Sequence, residues 1–474
     1  METLTELTAH LPPEPDEAAL FPRIQQMVAQ SGRTLVVIDD DPTGTQTVAD
    51  VELLLAWDEA RLRETLQRER QLFYLLTNSR SMPEQEAAAL NERAARQLKA
   101  ASESIGKEFV LASRSDSTLR GHYPAEIFAL ERGIGAACDG HLLVPAFFEG
   151  GRYTINGMHY VATPTASAET LQPAHETPYA KDSAFGYSTA YLSRWVEEKS
   201  KGHWRAEQVV SLDLKLVREG GPKAVAARLR TVTGGVPIVV NAAGYGDLAT
   251  VVLGVLQAEA EGKRFLYRTA ASFVRLRGAV APRPLLQPHE IVGGASVTNS
   301  GLVIVGSYVP GSTKQLEALL ALSAVQGIEL SVQRVIESED DSHALSRELG
   351  QRVDTFLRAG VTPVVFTSRA VQSGMDSAAF LALGRHISQA LTEILHAMHV
   401  QPRFIVAKGG ITSHDMAQRG LGAERARVLG QLFPGVPVWR LEGGSRFTGI
   451  PYIVFPGNVG TPESLKEAVQ VLSV

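Results

Sequence analysis

The sequence predicts an α/β protein with two domains, each a mainly parallel sheet flanked by helices. Short apolar runs rich in β-branched residues alternate with helical stretches along most of the 474 residues, a pattern typical of parallel sheets wrapped by helices. The length exceeds what one ordinary core supports. Residues 281–300 carry three prolines and a glycine pair without periodicity, so this stretch is the predicted linker between domains 1–280 and 301–474.

In the first domain, apolar runs and amphipathic stretches follow one another in regular order. Strands are predicted at residues 35–38, 51–57, 72–76, 109–113, 141–145, 209–212 and 236–241, and helices at 59–70, 84–101, 123–132 and from 247 onward. Residues 147–187 show no clear period and are predicted to be a long irregular segment, such as a lid or a wall over a site.

The second domain repeats the alternation. Strands are predicted at residues 302–305, 329–335, 363–367, 404–407, 437–441 and 453–455, and helices at 314–322, 342–359 and 379–399. No internal repeat or low-complexity segment interrupts the pattern.

Composition excludes several classes of protein. The chain has 46 Lys and Arg against 51 Asp and Glu, a net charge of −5, which argues against a dedicated nucleic-acid or membrane-surface partner. Cys138 is the only cysteine, so neither an intrachain disulfide nor a Cys-based zinc site can form. No stretch approaches the roughly 20 apolar residues of a membrane span, and the N-terminus lacks a signal-peptide pattern. A cytoplasmic location is expected.

Three consecutive carboxylates follow the first predicted strand. Asp39, Asp40 and Asp41 stand before Pro42 and Gly44, at the edge where open α/β sheets place their ligands. Adjacent carboxylates repel each other unless a cation, a hydroxyl-rich ligand or backbone N–H groups share them. The alternative is a solvated acidic turn that caps the next element.

Two further strands of this domain end in polar loops. Residues 77–81 contain Arg80, and the loop from residue 114 to 121 combines arginine, carboxylate and hydroxyl groups: Arg114, Ser115, Asp116, Ser117 and Thr118. Arginine pairs with carboxylates, and aspartate accepts hydrogen bonds from hydroxyl groups. The loops together predict a pocket for a polyhydroxylated acid. The alternative is that Arg80 and Arg114 only neutralise the three aspartates.

Glycine-rich turns mark the second domain. Residues 306–314 nearly match a P-loop, but Ser312 stands where the lysine belongs. A second turn is Lys408-Gly409-Gly410-Ile411-Thr412-Ser413, and a third spans residues 456–460. Such turns bring backbone N–H groups close to a phosphate. Three of them in one domain favour a nucleotide site.

Taken as a set, these motifs resemble the four-carbon acid sugar kinase family across nearly the whole chain. The resemblance rests on the Asp39–Gly44 turn, the 114–121 loop, and the turns at 408–413 and 456–460. It implies an acid-sugar-binding N-terminal domain, an ATP-binding C-terminal domain, and an active site in the interdomain cleft. It also implies transfer of phosphate from ATP, with Mg²⁺, to the terminal hydroxyl of threonate, erythronate or 3-oxo-tetronate. A homodimer is possible.

The resemblance also implies site residues. Substrate-binding positions are Asp40, Arg80 and Ser115 to Thr118, to which the residue chemistry adds Asp39, Asp41 and Arg114. Nucleotide-binding positions are Ser307, Gly409, Gly410, Ile411, Thr412 and Gly457, together with Lys408. Asp40 is the first candidate for the catalytic base and Asp415 the alternative. The family's usual turn reads Asp-Asp-Leu-Thr-Gly-Ala, whereas Asp41-Pro42-Thr43-Gly44-Thr45 follows Asp40 here.

Two other functions remain open at this point. A phosphatase of the haloacid dehalogenase type would use Asp39 and Asp41 in a D-x-D-x-T motif, but it lacks a later acidic pair, since Gly246 precedes Asp247. A non-catalytic protein that binds ATP and an acid sugar is the other. A nicotinamide oxidoreductase is weaker, because no G-x-G-x-x-G follows a strand. His122 and Arg268 are expected at the surface; the alternatives are that His122 reaches the substrate and that Arg268 faces the cleft.

Overall fold

The structure, a computed structural model, describes residues 2–164, 169–293, 299–306, 310–368, 377–457 and 459–473. The chain divides into two compact units. The first comprises Met1–Val48 and Trp57–Pro282, and the second Ala49–Ala56 and Arg283–Val474. The predicted linker is therefore shared between the units. Part of it forms a helix, Pro288–Val292, whose Ile291 and Val292 are buried in the core of the second unit.

The helices and strands up to residue 282 alternate as the sequence predicts. The helices are α1 (Leu4–Thr8), α2 (Glu17–Ser31), α3 (Glu59–Arg68), α4 (Glu84–Ile105), α5 (Ala125–Ile134), α6 (Leu192–Lys199), α7 (Leu214–Arg230), α8 (Tyr245–Ala260) and α9 (Ala271–Arg277). The strands are β1 (Thr34–Asp39), β2 (Val51–Leu54), β3 (Leu72–Leu76), β4 (Phe109–Arg114), β5 (Gly140–Val144), β6 (Arg152–Ile155), β7 (Met158–Pro164), β8 (Glu169–Pro173), β9 (Val210–Leu212), β10 (Val236–Val240) and β11 (Phe265–Thr269).

The main sheet of the first unit is parallel throughout its described strands, in the order β3-β1-β4-β11-β5-β10-β9. From β1 the chain moves to β3 on one side and then returns to β4 on the other side. The strand order therefore reverses between β1 and β4. At such a switch point the connections diverge and leave a crevice beyond the carboxyl ends of the strands.

The predicted irregular segment 147–187 is partly regular, and the prediction was wrong there. β6, β7 and β8 form a separate antiparallel sheet. Asn156 and Gly157, with φ of 51° and 77°, make the tight turn between β6 and β7, because both residue types tolerate positive φ. The sheet buries Tyr153, Ile155 and Leu171 against residues of the main body, and this packing supports strands too short to show a clear period.

The second unit contains the remaining elements and takes β2 from the earlier part of the chain. The helices are α10 (Pro288–Val292), α11 (Pro310–Leu320), α12 (Val332–Glu337), α13 (Glu339–Arg358), α14 (Ser377–Ala397), α15 (Gly410–Asp415) and α16 (Ser464–Leu472). The strands are β12 (Leu302–Val305), β13 (Val325–Leu330), β14 (Thr362–Thr367), β15 (Ile405–Lys408), β16 (Arg425–Phe433), β17 (Val436–Glu442) and β18 (Pro451–Phe455).

The strands of the second unit lie in the order β13-β14-β12-β15-β18-β17-β16-β2. The first five in this order are parallel, and β17, β16 and β2 continue the sheet as antiparallel strands. After β12 the chain moves to β13 on one side, whereas after β15 it moves to the strands on the other. The switch point of this unit therefore lies between β12 and β15. No helix in the described ranges is both long and apolar enough to cross a membrane.

Candidate active site

The three aspartates lie at the carboxyl end of β1, at the switch point of the first unit. Asp39 is fully buried and Asp40 is 5% exposed. Asp41 caps the short 3₁₀ helix Pro42–Thr45, because its side chain accepts a hydrogen bond from the Thr43 backbone N at 2.9 Å. Gly44 covers the Asp39 carboxylate so closely that a Cβ there would lie 1.9 Å from Oδ2. The turn thus covers Asp39 completely, whereas Asp40 keeps a small exposed fraction.

Arg80 connects three carboxylates of this site. Its Nη2 lies 3.1 Å from Asp40 Oδ1 and 3.1 Å from Asp41 Oδ2, and its Nη1 lies 3.2 Å from Asp116 Oδ1. Arg114 Nη1 lies 3.4 Å from Asp39 Oδ1. The two arginines therefore do pair with the aspartates, as the alternative to ligand binding supposed.

These ion pairs leave three buried polar atoms without a hydrogen-bond partner in the described part of the chain. Arg80 Nε, Arg114 Nε and Asp39 Oδ2 are buried and have no hydrogen-bond partner among the described residues. Buried polar atoms are nearly always paired, with protein, water or ligand. Neutralisation and ligand binding are thus compatible roles for Arg80 and Arg114.

Ser115 connects Asp40 to a buried ion pair that the sequence did not reveal. Its hydroxyl donates to Asp40 Oδ2 at 2.9 Å and accepts from Arg268 Nη2 at 3.3 Å. Arg268 Nε also donates to Glu126 Oε1 at 3.1 Å. Arg268 is 1% exposed, so its predicted surface position was wrong. β11 lies beside β4 in the sheet, and this neighbour relation is invisible in a single sequence.

The rest of the 114–121 loop is tightly held. Asp116 accepts from the Thr118 backbone N at 3.2 Å and from Arg120 Nε at 2.8 Å. Ser117 and Thr118 are buried, and the Thr118 hydroxyl donates to the Asp116 carboxylate. His122 is also buried, with Nε2 3.2 Å from Ser79 O, and its predicted surface role was wrong.

Carboxyl groups outnumber guanidinium groups in this network. Among the described residues, six carboxyl groups face four guanidinium groups: Asp39, Asp40, Asp41, Asp116, Asp182 and Glu126 against Arg80, Arg114, Arg120 and Arg268. Burial, reinforced by repulsion from Asp40 and Asp41, raises the pKa of Asp39 to about 8 against the pull of Arg114. Burial likewise raises the pKa of Glu126 to about 7. Protons on these two groups would balance the charge.

The other carboxyl groups shift in both directions. Burial raises the pKa of Asp40 above its usual range, although Arg80 and Arg114 oppose the shift. Burial acts the same way on Asp116, but Arg120 and Arg80 outweigh it and hold the pKa of Asp116 well below its usual range. Asp116 is therefore a fixed negative charge, and Asp40 is a carboxylate with increased proton affinity.

In the second unit, Lys408 lies at the carboxyl end of β15, beside the switch point. Its Nζ donates to Pro456 O at 2.5 Å and to Gly457 O at 3.3 Å and lies 4.4 Å from the centre of the Phe455 ring. No carboxylate of the described residues forms an ion pair with this ammonium group. Burial lowers the pKa of Lys408 to about 7. An anionic ligand at this position would supply the missing counter-charge.

The glycine turns of the second unit meet around this lysine. Gly409, with φ of 111°, adopts a conformation that side chains disfavour. Gly306 approaches Thr412 so closely that a Cβ on it would lie 2.2 Å from Thr412 Oγ1. Ser312 Oγ donates to Gly457 O at 3.2 Å. The predicted nucleotide-binding residues from 408 to 412 and Gly457 are thus brought together, whereas Ser307 lies outside the described residues.

Two residues of this turn have contrasting environments. Ile411, in the first turn of α15, is 55% exposed. Asp415 is 9% exposed; it accepts a hydrogen bond from Ser388 Oγ and lies 4.0 Å from Arg419 Nη1. Asp415 is therefore already engaged within its own unit. No group of three or more His, Cys, Asp and Glu residues in the described ranges could hold a metal ion.

Comparison with known proteins defines the class first. Residues 35–277 match a sugar-binding N-terminal domain, and residues 302–465 match a nucleotide-binding C-terminal domain. A sugar-binding domain followed by a nucleotide-binding domain defines a class of kinases. The chain belongs to the four-carbon acid sugar kinase family.

Individual relatives have low sequence identity to this chain. A D-threonate kinase of Cupriavidus necator is 28% identical over 372 residues, which cover 76% of this chain and 78% of that enzyme. A Haemophilus influenzae protein of solved structure is 18% identical, with a TM-score of 0.59 over 93% of this chain and 100% of its own. A Salmonella typhimurium LT2 protein is 16% identical, with a TM-score of 0.64 over 92% and 98%. The last two are similar in fold.

Proposed function

We propose that this protein is an ATP-dependent kinase that phosphorylates the terminal hydroxyl of a four-carbon acid sugar, giving its 4-phosphate. Threonate, erythronate and 3-oxo-tetronate are the candidate substrates. The observation that carries the proposal is the buried network at the end of β1, where Arg80 and Ser115 both bind Asp40. The 28% identity to a D-threonate kinase supports this substrate class.

The first unit supplies groups suited to a small hydroxylated anion. The guanidinium groups of Arg80 and Arg114 carry unpaired buried N–H donors, which suit a carboxylate. Asp40 and Asp116 accept hydrogen bonds, which suits substrate hydroxyls. We expect the acid group near the arginines and the terminal hydroxyl near Asp40.

The second unit supplies groups suited to a nucleotide phosphate. Lys408 is a buried cation whose hydrogen-bond partners among the described residues are carbonyl oxygens, so a phosphate would restore its charge balance. Glycine at positions 306 and 409 would let main-chain N–H groups come close to a phosphate. Mg²⁺ in such kinases is held largely by the phosphates themselves with one or two carboxylates, and its role is to neutralise charge that develops on the transferred group.

Asp40 is the proposed general base. A base must lie within hydrogen-bond reach of the attacking hydroxyl, and its pKa should approach the working pH. Burial raises the pKa of Asp40 in that direction, while Ser115 and Arg80 fix the orientation of its two oxygens. The proton of the substrate hydroxyl passes to Asp40 as the oxygen attacks the γ-phosphorus, and ADP leaves.

The alternatives receive less support. A phosphatase nucleophile must reach its substrate, but Asp39 is fully buried beneath Gly44 and pairs with Arg114. Asp247, which would have to supply the later acidic ligand, pairs with Arg218 Nε at 2.7 Å. Family membership favours a kinase over both the phosphatase and a non-catalytic binding protein.

The test is ADP release measured with purified protein over a panel of D- and L-threonate, D- and L-erythronate and 3-oxo-tetronates. We expect turnover with at least one acid and a product phosphorylated at its terminal carbon. Asp40→Asn should lower kcat by at least about a hundredfold while the KM for ATP changes little. Normal turnover in this variant would remove Asp40 as the base. ATP binding with no turnover on any acid would favour the non-catalytic alternative.

A further inference from the structure

The small antiparallel sheet and the segment that follows it contact the 114–121 loop at several points. We call this loop, which carries proposed substrate-binding residues, the substrate loop. His159 lies on β7, and Tyr179, Asp182 and Tyr187 follow β8. These residues contact Ser117, Thr118 and Arg120 of the 114–121 loop. Residues 147–187 therefore do more than connect two strands of the main sheet.

His159 binds the main chain of the loop in one tautomer. Its Nε2 lies 2.7 Å from Ser117 O, and its Nδ1 lies 3.0 Å from Thr154 Oγ1. Because a carbonyl oxygen only accepts, Nε2 carries the hydrogen and Nδ1 accepts from Thr154. His159 is fully buried, and burial lowers its pKa to about 4. The ring is a neutral, fixed donor to the loop.

Tyr187 binds the next carbonyl. Its hydroxyl donates to Thr118 O at 2.8 Å, and the side chain is 7% exposed. Two consecutive carbonyl groups of the loop thus receive donors from outside it. Arg120, at the far end, pairs with Asp182 at 3.5 Å and lies 5.2 Å from the centre of the Tyr179 ring.

The loop has a conformation that needs outside support. Leu119 has φ of 70°, a left-handed conformation that disfavours a branched side chain and persists only where surroundings hold it. Leu119 directly follows the carbonyl that Tyr187 binds. The loop conformation in turn places Ser115 against Asp40 and Asp116 against Arg80.

We propose that His159 and Tyr187 are positioning residues for acid-sugar binding, which act by holding the Ser117 and Thr118 carbonyl groups and so fix the substrate loop. Neither residue needs to touch the substrate. The inference deepens the proposed function and rests on it for its kinetic consequence, but the ordering of the loop can be measured without any substrate.

The test compares Tyr187→Phe and His159→Leu with two controls. Tyr160 lies on the same sheet, and its hydroxyl makes no hydrogen bond within the described residues, so Tyr160→Phe is the first control. The second, His159→Gln, restores a donor near the Nε2 position. We expect the KM for the acid sugar to rise about five- to twentyfold in Tyr187→Phe and His159→Leu. The kcat should stay within about twofold, the KM for ATP should not change, and both controls should resemble the wild type.

Hydrogen–deuterium exchange on the ligand-free protein separates this inference from the proposed function. Peptides covering residues 114–121 should exchange faster in Tyr187→Phe and His159→Leu, and at the wild-type rate in Tyr160→Phe. Unchanged exchange in both variants would overturn the inference even if the kinase activity is present. Faster exchange in a protein that phosphorylates no acid would keep the positioning of the loop and reject the proposed function. An equal rise in both KM values would also overturn it, because the effect would then not be specific to the sugar.

Discussion

Asp39 shows how burial sets the chemistry of a single residue. Its pKa of about 8 means that the group is mainly neutral near pH 7, although it lies among other carboxylates. The proposed acid-sugar substrate would bring a further negative charge to the site. The charge state of Asp39 should therefore control how well such an anion binds.

We expect the KM for the acid sugar to rise about three- to tenfold as the pH rises from about 7 to about 9, because ionised Asp39 repels the substrate carboxylate. Asp39→Asn cannot ionise, so its KM should stay flat over the same range. The measurement is the KM for the acid sugar and for ATP against pH in both proteins. The same alkaline rise in Asp39→Asn would assign the titration to another group.

Lys408 gives a second prediction for a single residue. Lys408→Met should raise the KM for ATP at least about tenfold, because a buried cation at the proposed phosphate position is lost, and leave the KM for the acid sugar unchanged. Burial lowers the pKa of Lys408 to about 7 in the protein without ligand, and only the protonated form of Lys408 attracts a phosphate. The affinity of the wild type for ATP should therefore fall as the pH rises through 7.

The control for this variant is Lys466→Met, which removes a surface lysine paired with Glu463 at 2.9 Å. It should bind ATP as the wild type does. Titration calorimetry with a non-hydrolysable ATP analogue measures both proteins without turnover. Wild-type affinity in Lys408→Met would place the nucleotide elsewhere.

At the scale of elements, close contact between two turns determines the shape of the predicted nucleotide site. A Cβ at Gly306 would lie 2.2 Å from Thr412 Oγ1. Gly306→Ala should therefore displace the turn after β15 and raise the KM for ATP about tenfold. In a Thr412→Ala background the clash is largely removed, so the same substitution should cost much less. A double-mutant cycle measures the coupling, and additive effects would show that the two turns act independently.

Sequence patterns predicted elements best where they were long and periodic. The strand that ends in the triple aspartate, the helix at Glu84–Ile105 and the turn after β15 were all predicted. The hairpin at Asn156-Gly157 was missed, although this dipeptide between apolar residues is a strong turn signal. The strands around it are short, and their buried face depends on residues such as Leu214 and Ala243 far along the chain.

At the scale of the whole molecule, the compact units do not follow the order of the sequence. β2 lies within the first half of the chain but pairs with β16 through Leu53 and Ala426, among others, and counts with the second unit. Substitutions in β2 should therefore act on a unit whose other residues begin more than two hundred positions later.

Leu53→Ala should destabilise the second unit by about 2–4 kcal/mol, because Leu53 is fully buried and its truncation leaves a cavity. Hydrogen exchange should accelerate in β16 and β17 and stay unchanged in β10. The matched control is Ile238→Ala, a buried residue of β10, which should give the reverse pattern. Faster exchange in β10 rather than β16 in Leu53→Ala would contradict the division of the chain seen here.

The sequence by itself determined the α/β class, the alternation of strands and helices, and the loops at strand ends where Asp39–Asp41, Arg80 and Lys408 lie, because these follow from local periodicity and from turn-forming residues. Only the tertiary structure decided which side chains meet. The ion pair of Arg268 with Glu126, the donors His159 and Tyr187 on the substrate loop, and the place of β2 in the second unit all join residues that are far apart in the chain. Such contacts arise from strand order and burial, which no local pattern encodes.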